Sequence, residues 1–502
     1  VRCFSYGKEQ SKKKERNVMD AIYQFAKNFV ENNYEDVPRE VVEVTKKQVL
    51  DLLGVAIAGF TAPGIQELLG IVRDWGGKKE SSIILCRQKV PSHMAAQVNA
   101  TMAHALDYDD VHDAAVLHPG VAVIPACLAV AERRGNVTGR EFITAVVLGV
   151  DIICRLTLAT WPGYDPSAPE RKDRAFQSER VKQGWHFTAL MGYLAAAGAV
   201  GKLLGLNEDQ MVNAFGIAYH QCSGNLQGKI DGAQTKRMGP GFCTRAGVAS
   251  AIMAERGMTG AKNCLEGRQG LYNMYFQGGY DAKTLTLGLG EHFEGVNVSI
   301  KPYPCCRGLH NYIDATLALV NEHDIKPFGV KEIRLFSDEG GYYSLCSPLE
   351  VKVKPRTQVD TQFSIPWAVA TAIAKRCAKI EHFTEAAVNS PDVLDIARKI
   401  SVELDHSLDR TDKIPPAKVE IRMKDGQVHL KQVDNPLGSP ERPMSFDDCA
   451  RKFRDCSSYA PGKFPKNRTE KVIEFIGQLE EVRDAGEIMK MLNGGSISRA
   501  RP

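Results

Sequence analysis

Apolar residues recur every three to four positions from Asn17 to about Leu206, the spacing that lines one face of a helix. Met19, Ile22, Phe25 and Phe29 make one such stripe. The stretch PREVVEVTKKQVLDLLGVAIAGF, Pro38 to Phe60, opens on proline and closes on Gly-Phe, so both ends of a helix are marked. HPGVAVIPACLAVAERRG and GREFITAVVLGVDIICRL continue the pattern and predict helices of roughly 15 to 20 residues broken at glycine corners. The segment His186 to Leu206, HFTALMGYLAAAGAVGKLLGL, is apolar almost all round and rich in glycine and alanine, which predicts a buried central helix closely approached by its neighbours.

After Gly290 the texture changes. VNVSIKPYP, EIRLFS and VEIRMKDGQVHLKQV are short and rich in β-branched residues, and the last carries Asp425-Gly426, a hairpin turn signal. A helix is expected over Ile365 to Ile380, and helical spacing returns near Pro443. The predicted fold is mainly α: a large all-α helical domain over residues 15–295, an inserted smaller α+β lid domain over 296–442, and C-terminal helices over 443–502 that complete the helical domain.

Composition narrows the function. Lys plus Arg number 64 against 60 for Asp plus Glu, and a net charge of +4 over 502 residues argues against a nucleic-acid or membrane-surface partner. The one dense basic run, Ser11 to Arg16, is expected to be a solvated arm. No apolar run reaches the ~20 residues that span a bilayer and the first residues do not read as a signal peptide, so a cytoplasmic location is expected. Thirteen cysteines without a CxxC pair predict reduced thiols packed as small hydrophobes, with no Fe–S cluster.

Chemistry concentrates in five places. HALDYDDVHDAAVLHPG, His104 to Gly120, packs three histidines and four aspartates into one stretch. Read as a helix, it puts His104, Asp107 and Asp110 on one face, while Pro119 turns His118 out of helical geometry at a corner that a ligand can reach. His186 opens the most apolar helix, whose N-terminal N–H groups favour an anion. The stretch Gly228 to Gly247, GKIDGAQTKRMGPGFCTRAG, reads as a Gly-rich basic loop in which Lys236, Arg237 and Arg245 suit carboxylate or phosphate oxygens, although it lacks the order of a P-loop. SIKPYPCCRGLHNYIDA sets Lys301 at the join of the two textures, where ligand sites are favoured. Tyr342 and Tyr343 follow a glycine pair in DEGGYYSL.

Together the HALDYDD…HPG block, the Trp-His pair before the small-residue helix, the GAQTKRMGPGF segment and the K-x-Y-x-C-C segment resemble the MmgE/PrpD family, which includes 2-methylcitrate dehydratase and cis-aconitate decarboxylase. The likeness runs from about Ile22 to Leu492. It implies a homodimer that works without metal or organic cofactor on a small anionic carboxylate bound between two domains. It implies Asp107, His118, His186 and Tyr342 as catalytic residues, with Lys236 and Lys301 binding substrate; Arg237 joins them from the basic segment. Val111 stands where the decarboxylases carry a hydroxyl residue and the spacing to His118 is one residue longer, whereas the segment around Cys305 and Cys306 resembles fungal decarboxylases and the Trp-rich loop typical of the dehydratases is missing; the expected activity is a 2-methylcitrate dehydratase-like lyase. Cis-aconitate decarboxylation and iminodisuccinate epimerisation are the alternatives within the family. Outside it stand a metal-dependent hydrolase using His104, Asp107, Asp110, His112 and His118, and a binding protein without catalysis.

Overall fold

The computed structural model describes residues 19–160, 184–410, 413–462 and 464–494. The basic run Ser11 to Arg16 lies outside them. The protein is mainly α. Among the described residues the first half is built from Ala21–Glu31, Arg39–Gly59, Ile65–Trp75, Ser92–His104, Pro119–Arg134, Gly139–Leu158, Phe187–Leu204, Glu208–Tyr219 and Thr235–Glu255.

The local signals set these boundaries. Thr138 accepts from Glu141 N while the Glu141 side chain accepts from Thr138 N, a reciprocal cap that starts Gly139–Leu158 and contributes ~1 kcal/mol. Pro119 occupies the first turn of Pro119–Arg134, where no N–H is missed, and Gly135 ends the helix at φ +68°. Phe187–Leu204 is long and apolar enough to cross a membrane, yet 89% of it is buried inside the protein as the central helix. Its glycines let neighbours in: a Cβ on Gly192 would lie 2.5 Å from Cys243 Sγ, and one on Gly198 2.7 Å from Phe29.

The expected basic loop at Gly228 to Gly247 is corrected here. Helix Thr235–Glu255 starts inside it, so Lys236, Arg237 and Arg245 are helical residues. The glycines serve packing rather than flexibility. A Cβ on Gly241 would meet Thr101 Oγ1 at 2.3 Å and one on Gly247 would meet Ala196 Cβ at 2.4 Å, which accounts for a helix made of such poor helix formers.

Buried apolar residues form two clusters. One runs from Ala21 to Ile300 and takes up Cys449, Phe453, Val472 and Leu492 from the C-terminal helices; the other runs from Cys305 to Ile421. The change of texture at 296 therefore precedes the change of core, because Val298 and Ile300 pack into the first cluster. The second cluster surrounds a four-stranded sheet in the order Ile400–Leu404, Val330–Ser337, Ala417–Met423, Val428–Val433, with the first pair parallel and the others antiparallel. Asp425-Gly426 makes the turn of the last hairpin, Gly426 at φ +93°. Helix Ile365–Lys375 stops five residues short of the expected Ile380 because Arg376 turns left-handed.

Twelve cysteines among the described residues are free thiols, and ten of these are buried.

Candidate active site

The His104 to Gly120 stretch is not one helix. Ser92–His104 ends at His104, Asp107 turns left-handed at φ +51°, and Val111–His112 is a short strand paired with Val298–Ser299. An aspartate tolerates that backbone better than most residues. The helical face expected for His104, Asp107 and Asp110 is thus corrected, and the turn sends the aspartates in three directions.

Asp107 goes to the cations. Its Oδ1 accepts from Lys236 Nζ and its Oδ2 from Lys301 Nζ at 2.9 Å, while Lys301 also donates to the Asp107 carbonyl at 2.8 Å. Burial would raise the Asp107 pKa, but the two ammonium groups outweigh it and hold the carboxyl well below the usual carboxylate range. Burial would likewise lower Lys301; Asp107 and then Asp109 more than compensate, and its pKa is raised.

Asp109 goes to the imidazoles. His104 Nδ1 lies 2.8 Å from Asp109 Oδ2, and His104 Nε2 lies 3.1 Å from Lys236 Nζ. An ammonium only donates, so Nε2 accepts, the ring proton sits on Nδ1, and His104 is the neutral link between Lys236 and Asp109. His118 Nδ1 lies 2.7 Å from the Asp110 carbonyl oxygen, which only accepts, so Nδ1 donates and Nε2 keeps its lone pair. Burial pushes His118 down to about 3, although Asp109 pulls the other way. Burial and then the Lys236 charge push His104 well below its ordinary value; burial followed by His104 and Lys236 do the same to His186.

Asp110 is structural. It accepts from Gly120 N at 3.1 Å and from Gln48, and a Cβ on Gly120 would lie 2.7 Å from its Oδ2, which explains the glycine of the His-Pro-Gly corner. His112 leaves the cluster altogether and pairs with Glu294 at 3.2 Å.

The other sequence candidates sort as follows. His118 is fixed by Thr188 Oγ1, which accepts from its backbone N–H at 2.9 Å. His186 precedes the central helix, with its ring centroid 5.8 Å from that of His104 and the His118 centroid 4.8 Å from the same ring. His118, His186, Lys236, Lys301 and Asp107 are thereby brought into one group around His104. His118 and Lys236 keep 14% and 13% of their side chains exposed, so the group has an open side. Arg237 is buried nearby and donates to the Pro63 carbonyl at 3.2 Å. Tyr342 is not part of the group in this conformation: its ring packs edge-on against Tyr343 and its N–H donates to Asp338 O.

Residues after Cys305 reach the group by another route. Gln362 Nε2 donates to the Leu106 carbonyl at 2.9 Å, and the Phe363 ring lies under Lys229 and Lys236 at 4.7 and 5.6 Å. Sequence reading missed Gln362, Phe363, Asp109 and the linking role of His104. Only His104 and Asp109 carried a signal, since both lie in the acidic block.

His104, Asp107 and His118 offer donor atoms within 4.8 Å of one another, enough to suggest a metal. The fit fails on charge: the Lys236 ammonium already contacts both His104 Nε2 and Asp107 Oδ1, and a divalent cation on those atoms would face it directly.

The profile of the MmgE/PrpD N-terminal domain matches residues 23–283, and that of the MmgE/PrpD C-terminal domain matches residues 303–478. The chain belongs to the MmgE/PrpD family. It is 26% identical over 479 residues to the cis-aconitate decarboxylase of Aspergillus terreus, an alignment covering 91% of this chain and 93% of that one. It is 24% identical to the cis-aconitate decarboxylases of Mus musculus and Homo sapiens, over 474 and 471 residues, covering 91% of this chain and 90% and 91% of theirs. As a member of this family the protein is a lyase.

The neutral state of the imidazoles is directly measurable. With a pKa of about 3, His118 is only about 1% protonated at pH 5, whereas an unperturbed histidine near 6.5 is almost fully charged there. Ring-nitrogen NMR of the histidine-labelled protein, assigned through single variants, is expected to show His118 uncharged from pH 8 to pH 5, and His104 and His186 titrating well below an ordinary histidine. A His118 titration centred near 6.5 is the contrary result.

Proposed function

We propose that the chain is a cofactor-independent hydro-lyase for a small hydroxy-tricarboxylate of the 2-methylcitrate type, with His118 as the base. The observation that carries the reading is the His118 tautomer: Nδ1–H is spent on the Asp110 carbonyl, leaving an unprotonated Nε2 on a ring of the same cluster in which Asp107 holds the Lys236 and Lys301 ammonium groups. Lys236 and Lys301 suit the substrate carboxylates, each charge-assisted bond contributing ~1.5 to 3 kcal/mol. His118 Nε2 takes the proton next to a carboxylate, the C–H electrons become the new C=C bond, and the C–O bond breaks. The departing hydroxyl takes a proton and leaves as water. That proton is assigned to Lys236, on the strength of its contact with His104 Nε2. His186 completes the imidazole group and Arg237 adds a buried positive charge. The residues between the two stretches of helical core are proposed to act as a lid that brings Tyr342 over the substrate, in a homodimer.

A second reading is decarboxylation of cis-aconitate, favoured by the activity that the relatives' names state. There the C–C bond to the departing CO₂ breaks, the double bond shifts by one carbon, and the far carbon takes up one proton. This reaction needs an acid at carbon, a role for which the ammonium of Lys236 is suited and the neutral imidazoles are not.

One assay panel separates the possibilities. Purified protein is incubated with 2-methylcitrate, citrate, cis-aconitate and iminodisuccinate, with and without EDTA, while olefin absorbance, CO₂ and optical rotation are followed. Olefin from a hydroxy acid without gas, unaffected by EDTA, is the expected result. CO₂ from cis-aconitate selects the second reading, and loss of activity to the chelator with recovery on adding one divalent ion refutes both.

A further inference from the structure

A buried lysine far along the chain touches both segments that carry the cationic site. Lys452 lies on the inner face of helix Phe446–Ser458, with 4% of its side chain exposed, and meets Asp51 of Arg39–Gly59 at 2.6 Å, itself 1% exposed. Its other contacts are to main chain: Nζ donates to the Tyr108 carbonyl at 2.8 Å and to the Lys301 carbonyl at 2.7 Å. Two of the three ammonium donors go to these carbonyls, and Asp51 supplies the opposite charge as an ion pair. Nζ also sits 3.6 Å from the centroid of the Tyr108 ring, whose hydroxyl donates to the Pro302 carbonyl at 3.0 Å. The turn holding Asp107 and the segment after Val298–Ser299 that holds Lys301 are therefore tied at three points close to the Asp107–Lys301 contact.

We infer that Lys452, with Asp51, is a positioning residue of the reaction: it holds the Tyr108 and Lys301 carbonyls so that Asp107 keeps its left-handed turn and Lys301 meets it. A buried ion pair is weak support for a fold, since two apolar residues of similar size do as well or better. The pair makes sense by what it orients. Both carbonyls flank the turn at Asp107, a residue whose left-handed backbone is intrinsically unfavourable, and Lys452 is the donor they share among the described residues. The C-terminal helices thus do more than cover the core, because one of them reaches under the site.

This inference rests on the reading of Asp107 and Lys301 as site residues, so the test begins with Lys301→Met alone. Unchanged kcat/KM for that variant overturns the inference by removing its footing in that reading. Given a loss there, the double variant Asp51→Asn/Lys452→Met is compared; it leaves no unpaired buried charge, and folding is checked by circular dichroism and thermal midpoint. The expected result is native-like folding with kcat lower by about ten- to a hundredfold, the scale of a small misplacement of reacting groups. Adding Lys301→Met to that background should then cost much less than it does in the parent. A folded double variant with kcat within twofold of the parent, or losses that simply multiply, overturns the inference while leaving the reading of Lys301 intact. If the double variant does not fold, Lys452→Arg decides. Its planar, bulkier guanidinium cannot serve both carbonyls and the Asp51 charge from the single point that Nζ occupies, so a drop in kcat of at least about fivefold at a parent-like melting temperature is expected, and unchanged kcat overturns the inference.

Discussion

Replacing His118 by Ala is expected to leave a folded protein that turns over its substrate at least about 100-fold more slowly, the usual contribution of a general base. Folding should survive because the ring belongs to neither apolar cluster. Its backbone N–H on Thr188 and the following Pro119 are unaffected by the substitution. Catalysis should not survive. The ring proton is committed to the Asp110 carbonyl, so the only ring nitrogen able to receive a substrate proton is Nε2. His104 cannot replace it, since its Nε2 already accepts from Lys236 and its Nδ1 donates to Asp109. The loss should fall on kcat more than on KM, because the ammonium groups that hold carboxylates are untouched. A folded His118→Ala protein with kcat within threefold of the parent removes the base assignment.

Asp107→Asn should be costly in a different currency. The carboxylate lies between two lysines, one of them almost fully buried, and its side chain is only 5% exposed. Taking away one partner of a buried charge group typically destabilises by about 3 to 5 kcal/mol, because the remaining charge stays uncompensated. Chemical denaturation should show a loss of that order, together with loss of turnover. The cations left behind then need an anion, so a tricarboxylate should stabilise Asp107→Asn. At 100 times its dissociation constant, a ligand binding only the folded state adds about 2.7 kcal/mol. An Asn variant as stable as the parent, or one indifferent to tricarboxylate, contradicts the picture of a carboxylate buried to neutralise two lysines.

The periodic parts of this chain were readable because each carries its own evidence. Pro38 to Phe60, Pro119 onwards and the stripe after His186 end where their caps and glycines say they should. The Asp425-Gly426 hairpin was equally plain. Reading failed where local pattern and tertiary packing diverged. Gly239 and Gly241 look like loop residues, and only the facing surfaces of Ser92–His104 and Phe187–Leu204 explain why they are helical. The three-residue spacing of His104, Asp107 and Asp110 suggested a shared face, but the left-handed turn at Asp107 made it false.

What the sequence alone determined is therefore the helical body, the change to strands after Gly290, the resemblance to a family and the stock of histidines, aspartates and lysines from which a site is drawn. Tertiary structure decided which of them meet. Asp107 finds Lys236 and Lys301 more than a hundred residues away, Asp110 is diverted to a helix start, and Lys452 arrives from a C-terminal helix that no motif marked. The reason is physical. Periodicity and caps are encoded within a turn or two of chain, whereas the partner of a buried charge is chosen by whatever packing leaves it no water.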